Sequence, residues 1–418
     1  MLKDNYICAL DIGSSKIAAV VAEIRKRKIS SVIFDNVPAK GIKKGSIVNS
    51  IDLVASIGQA VRNLRKKSGI NIKFIYANIS GQDIVAKHSS AIMPLAERGN
   101  KVITPYDIQK INEQARILGS SLEEEIIDQI PFGYITDSKN KILNPLGLYS
   151  HKLEVDLYLI CGKLASIQSL IRAVNQSGFE IKDLFFSGVA TAEAVLGGDL
   201  KEGQNIICDI GSDITEILLF KEGLLRHIEV LPLGGDNLTE TLCEELKIPF
   251  ELAEEVKISH AIIGDHSHIS EEKEILIKKD NLYNPLKQKV VVELLTAKVK
   301  AMCQSIKESI EKLTATYKVN NLVATGRTVL QDGFLEALES SVGVPVRLGH
   351  ISNPDIISLF GKDDTLSKQK YLPYVTALGM VCQALRKENP RVLPDYHPSP
   401  NLFVKAVSRV KEMYHEYF

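Results

Sequence analysis

The 418-residue chain carries no excess of charge, because 51 lysines and arginines balance 51 aspartates and glutamates. No overall field draws it to a polyanion, so nucleic acid is not an expected partner and any charged ligand must be met by a local patch. Long hydrophobic runs are missing too. No stretch reaches the ~18 apolar residues of a membrane-spanning helix, and the apolar run that starts at Tyr6 and meets Asp11 is too short for a signal-peptide core. The sequence therefore predicts a chain retained in the cytoplasm. Paired cysteines are also absent: those at 8, 161, 208, 243, 303 and 382 form no C-x-x-C, and each lies among apolar residues. That pattern predicts buried reduced thiols and argues against redox or metal work. Apolar residues, by contrast, make up 45% of the chain, ample for packed cores at a length that implies two or more domains.

The chain is organised around residues 205–220, NIICDIGSDITEILLF. An apolar run, a polar turn and a second apolar run predict two strands joined tightly, with Asp209 at the end of the first. Gly211 is expected to supply a positive φ and a close backbone approach, so that Ser212 and its neighbours can aim amides at one anion. One D-x-G turn is ordinary, since turns take Asp and Gly for geometry alone. An earlier copy gives it weight. In residues 6–21, YICALDIGSSKIAAVV, Asp11, Gly13 and Ser14 stand at the offsets of Asp209, Gly211 and Ser212, so each half of the chain carries a phosphate-type hairpin.

Between and beyond the hairpins, apolar spacing predicts a helix over 52–67 closed by Gly69, then a strand over 74–79. Residues 84–162 read as a small α+β insertion. It has a strand at 84–90, a helix opening at Thr104-Pro105, and alternation of Leu153, Val155, Leu157 and Leu159 with polar residues. A helix over 164–177 follows. Residues 187–196 and 373–380 are helical and rich in small residues, and two such helices crossing would form a hinge between halves. Asp236 suits an N-cap for a helix over 237–247, Pro249 opens another to about 262, and 264–289 read as polar and irregular. A long helix is expected over roughly 290–317, then a strand ending at Thr325-Gly326-Arg327. His260, Asp265, His266 and His268 look like metal ligands on paper, but no second ligand group accompanies them and a solvated loop is expected.

The end of the chain changes composition. Pro390, Pro394, Pro398 and Pro400 predict a tether, and in 401–418 Phe403, Val407, Val410, Met413, Tyr414, Tyr417 and Phe418 share one helical face. A tethered amphipathic helix of this kind can lay its apolar face into a lipid interface; docking on its own or a neighbouring subunit is the alternative. Its mild charge leaves affinity to apolar burial or to many anchors acting together.

Two D-x-G hairpins, a small-residue helix pair and a strand–Thr-Gly turn, in this order, resemble the actin-like ATPase superfamily. Within it the chain resembles the FtsA family of bacterial division proteins. Four stretches carry that likeness: Asp11 to Lys16; Asn144 to Leu148 with Leu153-Glu154-Val155; Leu233 to Asp236 with Glu254 and Lys257; and the terminal amphipathic segment. The resemblance implies a two-lobed α/β fold of duplicated domains around a nucleotide cleft. Subdomain IA would comprise 1–83, 163–200 and about 372–388, with IC at 84–162. IIA would comprise 201–235 and 318–371, and IIB 236–317, before a linker at 389–400 and a membrane-targeting helix at 401–418.

By the same resemblance ATP would lie between the lobes. Asp11 and Asp209 would meet Mg²⁺ and its waters, and Lys16 would offer a point charge to phosphate. Gly13, Ser14, Ser15, Gly211, Ser212 and Thr215 would serve the phosphates. Gly234, Gly235, Glu254, Lys257, Thr325, Gly326 and Arg327 would serve the nucleoside end. The family's usual glycines are replaced by Asp213 and Arg327: Asp213 would bring a carboxylate towards the phosphates, and Arg327 could either cover the base or obstruct it. No water-orienting acid or amide stands near Ser187, so nucleotide binding is expected with weak or absent hydrolysis. The implied role is a peripheral protein at the cytoplasmic face of the bacterial inner membrane. There it would hold FtsZ through IIB, assemble with itself into filaments, and meet other division proteins through 84–162. A pilus-assembly homologue of the PilM type, or a phosphotransferase or ATPase on this fold, are the alternatives.

Overall fold

Each predicted hairpin begins a five-stranded sheet, and the two sheets share one topology. In the first, Tyr6–Ile12 pairs antiparallel with Lys16–Arg25, which pairs with Lys28–Pro38. On its other side Tyr6–Ile12 runs parallel to Phe74–Ile79, and Glu180–Phe186 lies beyond. In the second, Gln204–Ile210, Thr215–Lys221, Leu224–Leu231, Asn321–Thr325 and Val346–Leu348 repeat that order and those directions. The structure, a computed structural model, describes residues 6–96, 99–137, 140–197, 200, 202–264, 270, 273–279, 282–314, 319–359 and 369–388. The tether, the amphipathic segment 401–418, and Asp265, His266 and His268 lie outside the described residues.

The central strands are buried along almost their whole length rather than alternately, because helices cover the sheets. Helix Ser50–Ser68 is set by its ends. The Asn49 side chain accepts from the Ile51 and Asp52 amides at 3.1 and 3.3 Å, and Gly69 closes the helix at φ 72°. Between the parallel strands Phe74–Ile79 and Glu180–Phe186 the chain makes a long excursion. It builds a four-stranded sheet in the order Lys141–Ile142, Glu124–Ile135, Lys152–Lys163, Ile84–Pro94, and returns through helix Leu164–Gln176. Helix Pro105–Leu118 packs on that sheet. It opens with a capping box between Thr104 and Asp107, with Pro105 in its first turn, and it shares a separate core with Met93, Leu153 and Leu157. The excursion also touches the second lobe. Tyr158 Oη accepts the Ile228 amide at 3.1 Å, and the Phe132 ring lies 4.2 Å from Lys141 Nζ and 4.3 Å from the Arg226 guanidinium.

In the second lobe, helices Gly235–Leu246, Phe250–His260 and Gln288–Thr314 fill the connection between Leu224–Leu231 and Asn321–Thr325, where the first lobe has helix Ser50–Ser68. Three expectations are corrected here. Asp236 is not the N-cap: Gly234 is, because the Asn237 side chain accepts its amide at 2.9 Å, and Asp236 falls in the first turn. Pro249 caps the next helix from outside, and that helix ends at His260. Residues 264–289 are not uniformly irregular, since Glu274–Lys279 and Leu282–Lys287 form a hairpin. Its Ile275 and Ile277 are buried at alternate positions, a two-residue period short enough to be overlooked among lysines.

The two small-residue segments form helices Ser187–Val195 and, after a 3₁₀ stretch Gln369–Tyr374 that contains Pro373, Val375–Glu388. They cross at backbone distance. A Cβ on Gly379 would stand 1.7 Å from the Ala190 carbonyl oxygen, and just beside this point the Thr191 and Thr376 hydroxyls are 3.0 Å apart. All six cysteines are free thiols, five buried and Cys243 half-buried; burial pushes those of Cys161 and Cys303 up to about 11. Gly379→Ala must separate the helices. We expect it to destabilise the fold by ~1–3 kcal/mol, as overpacking does, read as a lowered urea midpoint at unchanged slope.

Candidate functional site

The two hairpin turns face each other across a cleft of about 1050 Å³. Each is closed in the same way: the Gly13 amide donates to Lys16 O at 3.0 Å, and the Gly211 amide donates to Ile214 O at 2.9 Å. Neither glycine has the positive φ expected of Gly211. What they provide is clearance, since a Cβ would come within 3.3 Å of Lys16 O at Gly13 and 3.1 Å of Ile214 O at Gly211. A left-handed glycine of the site is Gly326, at φ 92°. A side chain there would meet Ile210 O at 2.2 Å and Asp209 Oδ1 at 2.8 Å, so the turn after Asn321–Thr325 must be glycine to lie against the second hairpin.

Asp11, Asp209 and Lys16 line the same cleft, and both carboxylates act on the lysine. Burial raises the Asp11 carboxyl to about 6, opposed by Lys16 and reinforced by Asp209; burial likewise raises Asp209. Lys16 is lowered to about 8, again chiefly by burial, and its Nζ donates to Pro373 O. Ser14, Ser15, Ser212, Gly235, Glu254, Lys257, Thr325 and Arg327 also line the cleft, with Arg327 exposed on its wall. Lys257 is buried. It donates to Gly235 O at 3.0 Å and Thr239 Oγ1 at 2.7 Å, and its ion pair with Glu254 measures 2.5 Å. Two of the named residues act from behind the second turn, Thr215 in the supporting role that its place in the hairpin suggests. Thr215 is fully buried and donates to Leu233 O at 2.8 Å, bracing the second turn from behind, and Gly234 backs onto Ser212 O, where a Cβ would stand 2.4 Å away.

Sequence reasoning missed two groups that hold the carboxylates, Asn78 and Thr191, and did not place two further carboxyl groups, Glu216 and Asp236, at the cleft. Asn78 Nδ2 donates to Asp11 Oδ1 and to Ser187 Oγ, both at 2.8 Å, while Asn78 Oδ1 accepts the Ile12 amide at 2.6 Å. Thr191 donates to Asp209 Oδ2 at 3.0 Å, from the helix that crosses Val375–Glu388. Glu216 faces Asp209 in the strand register, is 3% exposed and accepts from the Ser80 hydroxyl; burial raises its carboxyl well above the usual range. Asp236 lies beside Asp213, and burial together with that neighbour lifts it to about 7. The available signal was a polar residue inside an apolar strand: Asn78 in FIYANI and Glu216 in TEILLFK.

Two family models match the chain: "Cell division protein FtsA" over residues 206–377 and "SHS2 domain inserted in FTSA" over residues 81–161. Among curated proteins it is similar to the cell division protein FtsA of Pseudomonas aeruginosa, 26% identical over 92% of this chain and 90% of that one. The FtsA of Bacillus subtilis is 27% identical over 92% of this chain and 85% of that one. Among solved structures it is similar to a PilM-PilN type IV pilus biogenesis complex. The TM-score is 0.62 and the identity 14%, over 91% of this chain and 98% of that one. The ethanolamine utilization protein EutJ of Carboxydothermus hydrogenoformans gives 0.51 and 17%, covering 91% and 90%. At these identities the likeness to solved structures concerns the fold alone.

The Asp236 shift has a direction in pH. Between about 4 and about 7 the folded chain keeps a proton that the unfolded chain has released, so stability falls as pH rises through that window. Asp236→Asn removes this loss. We expect its unfolding free energy from urea titration to match the native chain near pH 4 and to exceed it at pH 8 by ~1 kcal/mol, after allowance for partial exposure.

Proposed function

Because the chain belongs to the FtsA family of cell-division proteins and has its actin-like, two-lobed α/β fold with an inserted unit, we propose that it binds ATP with Mg²⁺ between the lobes and tethers FtsZ to the membrane. The observation that supports the nucleotide half is the convergence of Asp11 and Asp209 on Lys16. The donor set suits the ligand. Two carboxylates offer the oxygen atoms that a hard cation takes, and both keep raised proton affinity until a positive charge joins Lys16 between them. Bound Mg²⁺ would neutralise phosphate charge. Asp11 and Asp209 would hold it with its waters, Lys16, Ser14, Ser15 and Ser212 would meet phosphate oxygens, and Thr325, Gly326, Arg327, Glu254 and Lys257 would border the nucleoside.

Retention rather than rapid turnover is the proposed use of the nucleotide. Glu216, a cleft carboxylate outside the two turns, is held by Ser80, and Glu254 is paired with Lys257. The adaptor half is supported by family membership together with the amphipathic sequence of 401–418, whose apolar face would anchor the protein peripherally at the cytoplasmic face of the inner membrane at the division site. Subdomain IIB, 236–317, would carry the FtsZ surface, and 84–162 would serve self-association into filaments or other division partners.

Asp209→Ala should weaken Mg-ATP retention at least about tenfold, as loss of a charged contact of ~1.5–3 kcal/mol implies, in a titration with a fluorescent ATP analogue. Unchanged affinity would remove the nucleotide reading. For the adaptor, we expect FtsZ with GTP and Mg-ATP to float with lipid vesicles alongside the full chain and to stay behind with a chain ending at Pro400. Flotation of the full chain without FtsZ would sink the division role. Failure of both forms to float would make the terminal segment a docked helix.

A further inference from the structure

Asp213 stands in the second phosphate turn where the family's glycine would leave no side chain, and the structure uses that side chain on the other lobe. Its carboxylate is 5% exposed, and Asp213 Oδ2 accepts the backbone amide of Lys44 at 2.8 Å. Lys44 and Gly45 are the tip of a two-residue hairpin between Ile42–Lys43 and Ser46–Ile47, and both have positive φ, 50° and 77°. This is the geometry of a type I′ turn, which favours Asn or Gly at its first central position and places a lysine there at some strain. An outside contact holds it. Gly45 lies so close to the loop after Phe74–Ile79 that a Cβ would stand 2.5 Å from Ser80 O, and the Ser80 hydroxyl itself donates across the cleft to Glu216. Two cross-lobe hydrogen bonds therefore meet at one seam, and Gly45, Ser46 and Ile47 form part of the cleft wall beside it.

We propose that Asp213 is a latch that ties the hairpin tip of the first lobe to the second phosphate turn, so that a bound nucleotide leaves only when that hydrogen bond opens. The first part stands on the contacts alone; the second rests on the nucleotide reading above. Asp213 is here a positioning residue, acting on the ligand through residues 42–47. Its carboxylate is engaged by a backbone donor rather than aimed at phosphate, which reconciles an acid at this position with an anion-binding turn.

Hydrogen–deuterium exchange on the nucleotide-free full chain tests the latch directly, because the Lys44 amide is the donor. In Asp213→Gly, exchange over residues 43–48 should quicken at least tenfold, while helix Pro105–Leu118 exchanges as in the native chain and so reports an intact fold. Asp213→Asn keeps an acceptor and should restore most of the protection. Equal exchange in all three would overturn the latch. The gate is read as the release rate of a fluorescent ATP analogue with Mg²⁺: at least tenfold faster from Asp213→Gly, with Asp213→Asn between. Altered exchange with unaltered release would overturn the gate and leave the latch. Failure of the native chain to bind the analogue would overturn the gate together with the nucleotide reading, with the exchange result still deciding the latch.

Discussion

The cleft depends on one close approach, where Gly379 lets helix Val375–Glu388 lie against the Ala190 carbonyl. That contact fixes the position of helix Ser187–Val195, and three consequences follow within one turn of it. Ser187 reaches Asn78, which holds Asp11; Thr191 reaches Asp209; and Thr376 reaches Thr191. Two carboxylates from separate sheets are thus positioned by hydroxyls on helices that could not approach if either carried a larger side chain at the crossing.

Around Lys16 the electrostatics are those of a site short of positive charge. Asp11, Asp209 and Glu216 are all raised by burial, Asp11 and Glu216 also by Asp209, and the Lys16 ammonium beside them is itself lowered. Burial there disfavours every charged form, the carboxylates by raising their proton affinity and the ammonium by lowering its own.

Much of this was legible in the sequence because it is local. Matching offsets in YICALDIGSSK and NIICDIGSDIT identify paired turns; the small residues of 187–196 and 373–380 identify helices that can touch; and Thr104-Pro105 marks a helix start that the capping box bears out. What escaped were contacts between distant segments. Nothing near Asp213 indicates that its partner is Lys44, 169 residues away, or that Thr191 would find Asp209. The expected positive φ at Gly211 also failed for a local reason: the turn closes through its own Ile214 carbonyl, and glycine is needed there for room rather than for handedness. The hairpin at 274–287 was hidden because its two buried isoleucines flank an exposed leucine, so the alternation is not visible as apolar against polar.

The inserted unit grows from the first lobe yet grips the edge strand Leu224–Leu231 of the second, through Tyr158 on the Ile228 amide and through the aromatic ring of Phe132 beside Lys141 and Arg226. Mechanically this makes the molecule a three-body linkage rather than a pair of jaws. A rotation of the second lobe about the helix crossing must either draw Arg226 off the Phe132 ring or carry the inserted sheet with it, so cleft geometry and the outward bearing of residues 84–162 form one coordinate.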